Sequence, residues 1–446
     1  MLKFGSLGVA AVVATSLSAL VATSVDAQNR RNRDRDQAAE APATPQVSRA
    51  FGQAFGPLQT AMSAADWAAA DAALAAARAV AQSEYERYLV ARSDFAIGAG
   101  QANTARQLAA VNAMIESNGI PAAEQARIYL AAGQLAYNSQ QYAMAAERVQ
   151  RAIELGSTAP NLSTLVIDAH FRAGQLDQGL AAFRAAVAAA TAAGQKAPES
   201  IYSLAARELQ EADRTPELMA VLIERANAYP SEANLRSSAL IYLQSLPPAA
   251  TRPEEVYQRG LSIDALRLMR AANAMNDRRF YVELVSNLAE DALPNEVLAV
   301  IAEGEAASLV PSTGDAFFAE RKQTARDNLA EDRASLPGAE RRAAADPAAR
   351  LAVRVADAYF AYENWAKAEE LYTAALAKTE ADTGLINLRI GQTRYRAGNF
   401  AGAMEALAQV RDGDRATLAR LWEAHVRSKL PAEAPAPSEP AAAPAT

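Results

Sequence analysis

The chain has 446 residues, a formal net charge of -7 at pH 7, 51% hydrophobic but only 6% aromatic residues, and no cysteine. The acidic balance gives no electrostatic support for nucleic acid or an anionic membrane surface as a partner. Without thiols there are no disulfides, thiolate metal sites, cysteine nucleophiles or acylation sites, and the abundant alanine favours closely stacked helices over a sheet-centred core.

Residues 1–27 read as a secretory signal peptide. Lys3 supplies a positive start, Leu7 to Ala22 an apolar run diluted by Thr15, Ser16 and Ser18, and Val25-Asp26-Ala27 small residues at both cleavage-determining positions. Cleavage after Ala27 would leave no lipid anchor and no stable membrane insertion, which places the protein in the periplasm of a Gram-negative-type cell, with full secretion as the alternative. Residues 28–46 mix Arg30, Arg31, Arg33 and Arg35 with Asp34 and Asp36 ahead of Pro42 and Pro45, the composition of a solvated, disordered linker.

Helical spacing begins near Val47 and defines an array over 47–246. Phe51, Phe55, Leu58 and Met62 form one stripe, Ser63 to Asp66 a break, and Trp67, Ala70, Leu74 and Ala77 a second stripe. Tyr85, Tyr88, Phe95 and Ile97 follow, with Gly98 and Gly100 as breakers before Leu108, Val111 and Met114. The sharpest pattern spans 127–194. Tyr142, Ala145, Val149 and Ala152 become Leu176, Gly179, Phe183 and Ala186, each thirty-four positions on. Asn161-Leu162-Ser163 matches a glycosylation acceptor, but Asn161 reads better as a helix cap. Another hairpin runs from Glu199 to Pro230, and Leu246-Pro247-Pro248 through Pro253 reads as a joint.

Residues 247–346 stay helical but lose the period, and their charged stretch 315–334 is expected to end in a Pro337-Gly338 turn. The pattern returns over 347–430. Val355, Ala356 and Tyr359 precede Trp365, Ala368, Tyr372 and Ala375, and then Ile390, Gly391 and Tyr395 precede Phe400, Ala403 and Leu407. Leu418, Leu421, Trp422 and Val426 mark a closing helix, and 431–446 is a Pro/Ala-rich tail expected to be extended.

The fixed order of small and large residues in these paired helices resembles the tetratricopeptide repeat (TPR) family. Tyr129, Gly133, Ala145 and Ala152 carry the resemblance in the first unit, and the Ala173-Gly174 turn in the second. It implies an all-α, TPR-like α-solenoid of stacked helical hairpins whose first helices line a concave groove. The residues before each inter-helix turn would then lie at or near that groove: Tyr137, Phe171, Phe360 and Tyr395. Asn138, Asp168, Arg172, Arg354, Asp357, Arg389, Gln392 and Arg396 would flank them with hydrogen-bonding groups. An aromatic row bordered by charge suits a protein or peptide partner, and the same rings suit packing between helices. Leu130, Gln134 and Leu165 stand where the family's carboxylate clamp has Lys and Asn, so recognition of a free peptide carboxylate is not implied.

No H-E-x-x-H pair, phosphate loop or G-x-S-x-G turn occurs, and His170 and His425 are too few and too far apart in sequence for an expected metal site. The reading is therefore a non-catalytic exported scaffold without catalytic residue, metal or cofactor, binding a protein or peptide. The alternative is an envelope-organising protein acting by self-association or glycan contact. Partner identity and oligomeric state stay open.

Overall fold

The same local device ends most of the helices. In the computed structural model, which describes residues 46–290 and 292–431, a residue in left-handed backbone stands two positions beyond the last helical one: Ala65, Ala102, Gln140, Gly174, Asp213, Glu363 and Gly398. The next N–H then reaches back five residues, as from Gln141 to the Ala136 carbonyl (2.8 Å), Gln175 to His170 (2.9 Å) and Asn399 to Arg394 (2.8 Å). This closure satisfies carbonyls that the helix end leaves without partners. The aperiodic middle keeps it at Asn273, Ala292 and Ser308, so its turn chemistry survives where its repeat does not.

Twenty helices result among the described residues. They are α1 (Arg49–Ser63), α2 (Trp67–Val80), α3 (Glu84–Gly100), α4 (Thr104–Glu116), α5 (Ala122–Asn138), α6 (Tyr142–Glu154), α7 (Leu162–Arg172), α8 (Leu176–Ala192), α9 (Glu199–Glu211) and α10 (Thr215–Ala228). Then come α11 (Glu232–Ser245), α12 (Arg252–Ala271), α13 (Arg278–Glu290), α14 (Pro294–Ala306), α15 (Ala316–Ala345), α16 (Ala349–Ala361), α17 (Trp365–Leu376), α18 (Thr383–Arg396), α19 (Phe400–Leu407) and α20 (Gly413–Arg427). None of these helices is long and apolar enough to cross a membrane. The expected signal at 1–27, almost all of the 28–46 linker and nearly the whole 431–446 tail lie outside the described residues. The chain divides into two units between Glu208 and Leu209, inside α9. The 247–253 stretch lies within the second unit, where Thr251 and Glu254 form a capping box that starts α12.

Unit 1 is a succession of hairpins, each packed on the next. Small residues set the crossings. A Cβ added at Gly133 would stand closer to Val149 Cγ2 than real Cβ atoms come, and 3.0 Å from the Val149 backbone nitrogen, so α5 and α6 touch nearly backbone to backbone. Gly98, expected as a breaker, instead lies inside α3, where a Cβ would meet the Gln107 nitrogen of α4 at 3.2 Å. The spacing-predicted core residues Ala145, Val149 and Ala152 are fully buried. Asn161 stands at the N-cap of α7 in left-handed backbone, and its side chain accepts no cap hydrogen bond, contrary to the role expected of it.

Unit 2 departs further from expectation. α15 runs on through Pro337 for 30 residues where a turn was predicted. Proline removes one helical hydrogen bond and costs about 3 kcal/mol in a helix interior. Packing on both sides of Pro337 offsets that cost. Tyr362 donates to Asp332 (2.7 Å), Tyr359 donates to Glu340 (3.1 Å), and Lys367 pairs with Glu340 (2.5 Å). The closing helix α20 covers α18 and α19 as expected, but it also packs against α10, α11 and α12. In α12 every residue from Leu261 to Met269 is buried, so this segment is enclosed on all faces.

Candidate interaction site

In unit 1 the turn after α5 brings Tyr137 beside α7, where Asp168 and Arg172 lie one helical turn apart on the same face. Arg172 Nε donates to Asp168 Oδ2 at 2.7 Å, and the Tyr137 hydroxyl donates to the same carboxylate oxygen. The Arg172 guanidinium lies 5.7 Å from the ring centroids of both Tyr137 and Tyr142, which meet edge to face at 5.4 Å. Partial burial, and then the hydrogen bond to Asp168, push the Tyr137 phenol above its ordinary value. The hydrogen bond to Asp168 raises Arg172 in turn. Arg172 and the neighbouring Asn138 are exposed, and Tyr137 and Asp168 are half-buried. Phe171 is different. It is 6% exposed, and its ring occupies the space that a Cβ on Gly179 would need, so it is a packing residue between α7 and α8 and no part of an open surface.

In unit 2 the corresponding row meets its own chain. Arg389 on α18 is buried between two carboxylates, its Nε 2.9 Å from Asp264 Oδ1 and its Nη1 on Asp357. Gln392, fully buried, donates from Nε2 to Asp264 Oδ1 at 3.1 Å. Asp357 also accepts from the Tyr372 hydroxyl at 2.5 Å. Phe360 is buried beneath Arg267, whose guanidinium lies 4.5 Å from the ring centroid. Tyr395, half-buried, shares a 2.9 Å hydrogen bond with His425 Nε2 and lies 5.6 Å from the Trp422 ring. Expected at or near a groove, Phe360, Arg389, Gln392 and Tyr395 are thus covered by α12 and α20. Arg354 is exposed, whereas Arg396 is half-buried over the Trp365 ring (5.3 Å), with Glu363 at 3.5 Å.

The residues that do the covering escaped the sequence reading. Asp264, Arg267 and Glu296 are all at least 96% buried. Arg267 Nε donates to Glu296 Oε1 at 2.9 Å, its Nη2 donates to Oε2, and Arg270 adds a contact with Oε1 at 3.5 Å. Burial alone would raise the Glu296 carboxyl, but the Arg267 charge outweighs it and the net direction is down. Burial disfavours the Arg389 cation, and Asp264 and Asp357 reverse that direction. A signal existed. Two opposite charges three residues apart in the otherwise uncharged, mostly apolar run Leu261 to Met269 require buried partners once that run is enclosed. The carboxylates of Asp168, Asp264, Asp357 and Glu296 are each held by an arginine.

No family model and no curated protein matches the chain. Among solved structures it is similar to a tetratricopeptide repeat protein from Parabacteroides merdae, at 14% identity over 60% of this chain and 99% of that one, with a TM-score of 0.26. It is also similar to the APC/C hetero-tetramer Cut9-Hcn1, at 11% identity over 76% of this chain and 66% of that one, with a TM-score of 0.23. On its own hairpin geometry, with recurrent left-handed turns and small residues at the crossings, the chain has an all-α, TPR-like fold of stacked helical hairpins.

Proposed function

We propose that the protein is a non-catalytic scaffold that binds a protein or peptide through unit 1, at the surface bearing Tyr137, Asn138, Asp168 and Arg172, after export to the periplasm. One observation carries this reading. The Arg172 side chain is 47% exposed and held in place by Asp168 and two tyrosine rings, whereas the corresponding row of unit 2 is packed on its own helices. Tyrosine and arginine are the residue types that most often carry binding energy, and a side chain already held in its bound geometry loses less entropy on association. The signal-like residues 1–27 support export.

A crosslinking pull-down from the native envelope tests the proposal. The Arg172→Ala, Asn138→Ala double variant is expected to lose the captured partner while melting within about 2 °C of the parent, since both side chains are exposed. Undiminished capture by a folded double variant would overturn it. Intact-mass measurement on the periplasmic fraction, expected to find a chain beginning at Gln28, tests the export step.

A further inference from the structure

A narrow, partly enclosed cleft in unit 2 is lined by Arg267, Glu296, Phe360, Trp365, Gln392 and Trp422, with Ala299 of α14 and the half-buried Arg396 also on its wall. Two of the lining side chains are fixed at one end and unpartnered at the other. Gln392 is anchored through Nε2 on Asp264, and its Oε1, an acceptor, is buried without a hydrogen-bond partner among the described residues. Arg267 is anchored through Nε and Nη2 on Glu296, and its Nη1, a donor, is likewise buried without one. The nearest carboxylate to that nitrogen, Asp264 Oδ1 at 3.7 Å, is beyond hydrogen-bond reach. A buried acceptor and a buried donor left unsatisfied each cost about 1–3 kcal/mol. A ligand that offered one N–H and one C=O would recover both.

Charge narrows the class. Arg267, Arg270 and Arg396 each have a carboxylate beside them, from Glu296, Glu303 and Glu363 respectively, so the cleft holds no uncompensated positive field for an anion. A carboxylate would also face the Gln392 oxygen, acceptor against acceptor, and a cation would face the guanidinium of Arg267. A planar neutral group suits the walls of Phe360, Trp365 and Trp422. We infer that this cleft binds a neutral carboxamide, its N–H donated to Gln392 Oε1 and its C=O accepting from Arg267 Nη1. The group is either the side chain of a glutamine or asparagine or a main-chain peptide unit. The residues of this site all belong to unit 2, and its assignment does not rest on the unit 1 proposal.

The test titrates the full chain with N-acetylglutamine N-methylamide and follows tryptophan fluorescence, because Trp365 and Trp422 line the cleft. Saturable binding is expected, at least tenfold weaker for glutarate, which offers carboxylates and no amide. N-acetylalanine N-methylamide separates the two sources: equal binding assigns the main-chain amide, and weaker binding the side chain. Gln392→Met should weaken the glutamine probe at least tenfold. Should that variant melt, Ala299→Phe decides, since it fills the cleft from a partly exposed position without touching the polar anchors. Absence of saturable binding, equal binding of the glutamine probe and glutarate, or unchanged binding in folded Ala299→Phe would each overturn the assignment.

Discussion

Trp422, on the last helix, donates its indole N–H to the carbonyl oxygen of Asp264 at 3.2 Å, a residue 158 positions earlier in the chain. The side chain of the same aspartate meets Arg389 and Gln392, so Asp264 joins α12, α18 and α20. Asp264→Ala would leave Arg389 buried with Asp357 alone. Removing one member of a buried ion pair costs about 3–5 kcal/mol, and a chemical denaturation curve should show that loss. Asp264→Asn keeps a hydrogen-bond acceptor and is expected to lose less. Equal, small effects of both would mean that the pair contributes no net stability.

Single methyl groups should act with opposite signs at two glycines of unit 1. Gly133→Ala drives a Cβ into the Val149 backbone and side chain and should cost about 1–3 kcal/mol. At Gly52, inside α1, an added Cβ meets nothing within 4 Å, so Gly52→Ala should stabilise by about 0.5–1 kcal/mol. Thermal melts of the two variants check both signs.

Acid should act on the two units in different windows. His425, 3% exposed, is lowered by burial from its ordinary 6.5 to about 4. The unfolded chain therefore takes up a proton between these values that the folded chain refuses. Stability is fully present above about pH 6.5 and falls, by about 3 kcal/mol at most, as pH drops toward 4. Burial would raise Glu86, but the backbone N–H groups of Ser83, Ser48 and Gln82 outweigh it and hold the carboxyl at about 2. Its contribution is present above about pH 4.5 and is lost as pH falls toward 2. Denaturation followed across pH should show the first loss removed in a folded His425→Gln variant and the second left intact.

Phe171 and Arg172 are adjacent in sequence and should separate cleanly in experiment. Phe171→Ala opens a cavity over Gly179 and is expected to cost about 3–5 kcal/mol. Arg172→Ala removes a half-exposed guanidinium from its pair with the more buried Asp168, which keeps the Tyr137 hydroxyl, along with two ring contacts, and should cost about 1 kcal/mol. Urea midpoints measure both, and a small loss for Phe171→Ala would return that ring to the binding surface.

The hairpins at 127–194 and 347–410 are legible in the sequence because their signal is local: helical periodicity, small residues at crossings, and a turn every thirty-odd residues. Pro337 misleads for the opposite reason. Its local effect is to end a helix, and what sustains α15 comes from Tyr359, Tyr362 and Lys367, which no local window contains. The candidate row is half legible in the same sense. Helical phase picks out Tyr137, Phe171, Phe360 and Tyr395 alike, but whether a ring meets solvent or another helix depends on partners far along the chain. For Phe360 and Tyr395 those partners include Arg267 of α12, and Trp422 and His425 of α20.

The return of α20 to α10, α11 and α12 bears on the order of folding. In unit 1 each hairpin docks on its sequence neighbour, so successive hairpins can assemble as soon as they are synthesised. In unit 2 the enclosed stretch of α12 obtains part of its cover from helices more than a hundred residues later, and closing so long a loop is entropically slow. Until the last helix arrives, Leu261 to Met269 present an apolar surface interrupted by two charges, which makes this segment the one most in need of protection in the nascent chain.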